Sequence, residues 1–231
     1  MFRRIAIALF LACIAAGCFE DSENPGHAML NLRMKAVTAN SMISGRTAHG
    51  AYDFTGLKIG ISRFEFETDY EDDMEDYHGM KAGNPEEFSG AFQVNLITGS
   101  ASPAFGQVKG YSGAYDQVSV QLASVLPGDQ SVAFDFTHNG TPVRFSTAAE
   151  IELELEGNYF VDDSGVMQWL VVVDLDRLFD GVVLDGLQPT DQGVIEINDS
   201  VNSAITELLL LNLQAALACG EDENGDDRID D

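Results

Sequence analysis

From residue 28 onward the chain alternates apolar and polar residues with a period of two, in short runs divided by turn residues. In AMLNLRMKA, Leu30, Leu32 and Met34 alternate with Asn31, Arg33 and Lys35, which predicts a strand with one dry and one wet face. LKIGISRFEF sets Leu57, Ile59 and Ile61 on one face and then Phe64 and Phe66. The phase slips between 61 and 64, as a β-bulge would make it. Further alternating runs carry Phe92, Val94 and Leu96, then Val118, Val120 and Leu122, then Val132, Phe134 and Phe136, then Val143 and Phe145. EIELELE alternates most strictly, with Ile151, Leu153 and Leu155 inward and Glu150, Glu152, Glu154 and Glu156 outward. Like charges along one strand face repel one another and make a poor template for edge pairing. MQWLVVVDL at 167–175 is apolar on both faces and predicts a central strand. Turn signals PGD at 127, HNG at 138 and DDSG at 162 separate these runs at intervals that suit a sandwich.

These runs predict an all-β fold, a mainly antiparallel β-sandwich over residues 28–197. Two segments break the period. TDYEDDMEDYHG at 68–79 holds six carboxylates between Asp69 and Asp76. SVNSAITELLLLNLQAALACG spaces Ile205, Leu208, Leu209, Leu213, Ala216 and Leu217 as a helical stripe, with Asn198 or Asp199 placed to cap it and Gly220 to end it. A C-terminal α-helix over 198–220, packed on the sandwich, is the expectation. Thr206, Glu207, Asn212 and Gln214 interrupt an apolar run already too short for a membrane span.

The N-terminus has a different character. Arg3 and Arg4 precede the apolar stretch IAIALFLACIAA, and IAAGC has the form of a bacterial lipoprotein box. Residues 1–17 are therefore expected to be a signal peptide, with Cys18 the lipidated first residue of the mature chain. FEDSENPGH completes a tether over 18–27. Acyl chains on Cys18 would hold the protein on a membrane surface, at about 0.8 kcal/mol per buried methylene. Phe19 stands where aspartate retains many such proteins in the inner membrane, so the expected location is the outer membrane of a bacterial cell envelope. With Cys13 removed and Cys18 lipidated, Cys219 is left alone in an oxidising compartment, and no disulfide framework is expected.

Charge narrows the partners. The chain has 12 basic residues, and losing Arg3 and Arg4 leaves 10 against 38 acidic ones, a net of −28. Nucleic acid and anionic lipid both need a basic surface, so neither is an expected partner. An envelope protein or a polysaccharide is, and the acidity also suits cation binding or a salt-rich medium.

The order of LKIGISRFEFE, FQVNLITG, YSGAYDQVSVQL, AEIELELEG and VVVDLDRLFDG, spanning residues 28–185, is similar to a family of uncharacterised bacterial lipoproteins. These are built on a prealbumin-like β-sandwich domain of unknown function. The resemblance implies an envelope domain without assigned activity and supplies no catalytic residue.

Candidate chemistry is sparse. The sequence has no G-x-S-x-G elbow, no H-E-x-x-H pair and no C-x-x-C. His27, His49, His78 and His138 read as loop or linker residues. A Ser-His-Asp site assembled in space leaves no spacing signature, so an envelope hydrolase is the alternative to a non-enzymatic binding or structural module. Met74, His78 and Met80 are soft donors suited to Cu(I), set against the preferred reading of an acidic loop with incidental methionines. For the carboxylates of that loop, a solvated charge run is preferred over weak divalent-cation binding.

The tail DENGDDRIDD carries the most specific pattern. Counted from Asp222, an EF-hand-like loop takes oxygens at positions one, three, five and nine and a carbonyl at seven. These are Asp222, Asn224, Asp226, Asp230 and the carbonyl of Arg228. Ile229 fills the apolar eighth place, while Asp227 stands at position six, where glycine is usual. Position twelve falls beyond Asp231, so water or a terminal carboxylate would complete the shell. Calcium is thus the one candidate cofactor, bound at about 10⁻⁴ to 10⁻³ M or more weakly. The competing reading of residues 221–231 is an acidic, frayed terminus.

Overall fold

A computed structural model of the chain describes residues 26–38, 41–42, 47–49, 52–67, 86–163 and 165–230. Cys18 and the acidic segment with Met74, His78 and Met80 lie outside the described residues. The strands are β1 (His27–Thr38), β2 (Ser41–Met42), β3 (Thr47–His49), β4 (Tyr52–Glu67), β5 (Glu86–Asn95), β6 (Ser100–Ser102), β7 (Gln107–Tyr111) and β8 (Gly113–Leu122). After them come β9 (Val132–His138), β10 (Thr141–Thr147), β11 (Glu152–Val161), β12 (Val166–Asp174), β13 (Ile195–Ile197) and β14 (Leu217–Glu221). Helix α1 spans Leu175–Leu178 and α2 spans Ser203–Ala216.

The strands form the expected sandwich of two sheets. The first runs β14-β12-β1-β2, with β7 on the same side of β1 as β2. The second runs β11-β8-β4-β9-β10-β13, with β3 and β5 also on β4 and β6 on β5. Pairing is antiparallel except between β1 and β12 and between β10 and β13. MQWLVVVDL is central, flanked by β1 and β14. The expected bulge is present, as a register shift between Ile61 and Arg63 against both β5 and β8. It lies beside Gly60, where an added Cβ would run into the Ala123 carbonyl and the Val125 side chain.

The dry faces close on each other. Leu30, Leu32, Met34 and Ala36 from β1 are buried, as are Phe64 and Phe66 from β4. The Trp169 ring meets Phe66 edge-on at 4.9 Å between centroids, joining the two sheets. A second aromatic group fills the flank of the second sheet. Phe54 and Phe136 are cross-strand partners 5.4 Å apart, and Phe179, just past α1, packs on both. Such pairs contribute about 0.5–1.5 kcal/mol beyond the area they bury.

The C-terminal helix is shorter than its apolar pattern predicts. It begins after Asn202, which has left-handed φ 56° and gives no side-chain cap. The expected caps are engaged elsewhere: Asn198 Oδ1 accepts from the N–H groups of Ser200 and Val201, and Asp199 accepts from Thr147 Oγ1 and the Ala148 N–H. Thr206, Leu209, Leu213 and Ala216 face the core, while Leu211 is exposed. At its far end the helix stops at Ala216, because LACGE becomes β14 and pairs with β12 from Leu217↔Val173 to Glu221↔Trp169. Cys219 therefore lies on a strand. Among the described residues no helix is long and apolar enough to cross a membrane.

Candidate functional site

The C-terminal loop grows directly out of β14. Asp222 N–H donates to the Gln168 carbonyl at 2.8 Å, extending the ladder one step, and Asp230 N–H returns to the Glu221 carbonyl at 2.8 Å. The residues between them form a closed turn. Asn224 and Asp226 each fold onto the backbone N–H two residues ahead, as Asx side chains do. Asn224 Oδ1 accepts from Asp226 N–H at 2.8 Å and Asp226 Oδ1 from Arg228 N–H at 3.0 Å. Asp230 takes the Glu223 N–H on Oδ2 at 2.7 Å and the Asn224 Nδ2 on Oδ1 at 2.9 Å.

Asp222 sits at the base of this turn, 2% exposed. Its Oδ2 reaches across the loop to accept from Asp227 N–H at 3.2 Å. Its Oδ1 is buried and has no hydrogen-bond partner among the described residues. An ionised oxygen in that position is costly unless a donor or a cation meets it.

Asp227 accounts for the missing glycine. Its φ is 64°, the left-handed conformation that position six demands and that Asp tolerates better than most residues. Its carboxylate is fastened to the wet face of β1, with Oδ2 2.6 Å from Lys35 Nζ and Oδ1 2.5 Å from Arg33 Nη1. The Arg33 contact is an ion pair whose N–H directions miss the oxygen, so Oδ1 gains charge compensation and no aligned hydrogen bond. Lys35 is itself 7% exposed. On the other side of the loop Ile229 rests on Gly220, where any Cβ would displace it.

The five predicted ligand residues are thus brought into one small loop. They do not converge to a point: among the described residues no three His, Cys, Asp or Glu side chains are gathered as a metal cluster. The reason is geometric, since Asp230 is turned onto the loop's own N–H and amide groups. Nearby repulsion is visible at Glu221, whose carboxyl pKa is pushed up by burial and then by Glu223, Asp162 and Asp230.

Sequence reasoning missed the docking of this loop on β1. Its signals were two adjacent wet-face cations, Arg33 and Lys35, and an aspartate in a glycine position. The histidines also differ from expectation: His27 opens β1, His49 ends β3 and His138 ends β9. His138 Nε2 lies 3.0 Å from Asp185 Oδ1, and its buried Nδ1 has no partner among the described residues. No hydroxyl or thiol nucleophile is hydrogen-bonded to it there. The Cys219 thiol is held protonated, its pKa pushed up by burial, and the neighbouring Tyr159 phenol is pushed up to about 12 by burial and by Cys219.

No protein-family model matches the chain. No curated protein matches it either. One solved structure, MbnP from Methylosinus trichosporium, is similar over 67% of this chain and 78% of its own, with 10% sequence identity and a TM-score of 0.38. A likeness that distant carries no argument about what this chain does.

Proposed function

We propose that the protein is a lipid-anchored cell-envelope module that binds a partner without catalysing a reaction, and that its C-terminal loop takes up calcium. Support for the anchor comes from Arg3, Arg4, the apolar stretch and the IAAGC box ending on Cys18. One observation carries the calcium reading: the buried, unpartnered Asp222 Oδ1, in a loop whose Asn224, Asp226 and Asp230 stand at oxygen-ligand spacing. A calcium ion accepts six to eight oxygens at 2.3–2.6 Å in flexible geometry, which suits carboxylates, an amide oxygen and the Arg228 carbonyl supplemented by water. Magnesium, which demands a tighter octahedral shell, suits this loop less well.

The test is a calcium titration of the protein beside Asp222→Asn, at high monovalent salt so that diffuse attraction to an acidic surface is screened. Asparagine keeps an oxygen to accept from Asp227 N–H but removes the buried charge. The expected result is a saturable isotherm for the native chain and loss of it for the variant. Superimposable isotherms would sink the calcium reading. The anchor is tested separately: a fatty-acid analogue should label the native chain and not Cys18→Ser.

A further inference from the structure

On the open flank of the sandwich a groove of about 660 Å³ runs between β11 and β14, the outer strands of the two sheets. Among the described residues each of these strands pairs on one side alone, β11 with β8 and β14 with β12. Their other sides face the groove. Glu154 turns both its N–H and its carbonyl away from β8 to the Gln214 side chain, which caps one end. The Glu221 carbonyl on β14 likewise points away from β12, toward Asp230 N–H. Backbone groups alternate sides along an antiparallel strand, so Glu156 and Cys219 present theirs to the groove as well.

The side chains add sign. Glu154, Glu156, Glu221 and Asp230 line the groove, and among the described residues no lysine, arginine or histidine does. Trp169 and Tyr159 form apolar wall, and Phe160, 64% exposed, stands at the mouth. The glutamates of β11 also repel a second copy of the same edge.

We propose that this groove binds an extended polypeptide segment bearing lysine or arginine, which adds as a strand to the free edges. Backbone N–H and C=O groups of such a segment would meet those of Glu156 and Cys219, alternate cationic side chains would meet the carboxylates, and an apolar side chain would cover Phe160. The inference goes beyond calcium binding and does not rest on it.

Trp169 is the chain's one tryptophan, so its emission reports on the groove. The experiment titrates the full chain, in a calcium chelator, with a capped octapeptide of alternating lysine and valine. Trp169 emission should shift saturably, and the amides of Glu156 and Cys219 should gain protection from hydrogen exchange. Replacing alternate residues of the peptide by proline removes edge donors and should weaken binding about tenfold, the worth of one or two hydrogen bonds. Glu156→Gln combined with Glu221→Gln should weaken the parent peptide about threefold to tenfold by lost charge pairing. Absence of a saturable shift overturns the proposal. So does equal binding of the proline peptide, of a glutamate–valine peptide, or of spermine, since each would leave either the strand or the charge without a role.

Discussion

The aromatic flank of the second sheet and the C-terminal loop are both closely packed, yet they are held by opposite kinds of force. In the flank, Tyr52, Phe54, Phe136 and Phe179 touch one another in several pairings at 4.8–6.2 Å. Burial and dispersion there are non-directional, and each ring is supported by more than one neighbour. In the loop nearly every contact is a single directed hydrogen bond from one N–H to one carboxylate or amide oxygen. The flank can thus supply stability without chemistry. The loop contributes little apolar burial, and its oxygens are arranged for something that pulls on negative charge.

Substitutions should separate the two regions. The largest effect is expected from Phe136→Ala, which empties a site touched by Phe54, Phe179 and Tyr52. It should cost about 3–5 kcal/mol in a urea titration and leave the calcium isotherm of the folded protein unchanged. Altered calcium affinity in that variant would mean that the regions are coupled.

Asp227→Ala comes next, because it leaves the buried Lys35 ammonium and the Arg33 guanidinium without their carboxylate. The expected cost is about 2–3 kcal/mol, below that of a fully buried pair because Asp227 is partly exposed. Asp227→Gly sharpens the point. It should lose similar stability while keeping calcium affinity, since glycine suits the left-handed backbone at that position. Loss of calcium binding in both variants would assign Asp227 a ligand role as well as a docking one.

Gly220→Ala acts on the seat of Ile229. A stability loss under about 1 kcal/mol is expected where an exposed loop can shift, together with a calcium affinity about tenfold lower, measured by isothermal titration. The smallest effect belongs to Glu221→Gln. Because the folded pKa of Glu221 is raised, its ionisation opposes folding above the ordinary carboxylate range, and that cost is absent below it. In chelator the variant should therefore melt slightly higher than native near neutral pH. The difference should vanish as the pH falls below about 4.

Much of the sandwich was legible because one face of each strand is dry. Period-two runs located β4, β8, β9, β10 and β11, the phase slip at 61–64 located the bulge, and the doubly apolar 167–175 located a central strand. What stayed hidden is long-range. Nothing local in HAMLNLRMKAVT says that it will pair in parallel with VMQWLVVVD. The helical stripe runs through Leu217, but pairing with β12 outweighs it and converts LACGE to a strand. At the loop, spacing alone placed the five candidate ligands. The burial of Asp222 and the clasp of Asp227 depend on residues such as Lys35, 192 positions away, which no spacing rule connects.

That parallel pairing of β1 with β12 also fixes an order of events for a chain made from its N-terminus. The second sheet can assemble largely from near neighbours, β4 with β5 and β9 with β10. The first sheet cannot: β1 emerges with only the two-residue β2 close behind it, β7 follows in mid-chain, and β12, with β14 on its far side, arrives later still. Long-range closure of this kind is slow, and until it happens an apolar strand waits without its partner. A chain cut before Val166 is therefore expected to aggregate, seen as loss of the monomer peak in size-exclusion chromatography.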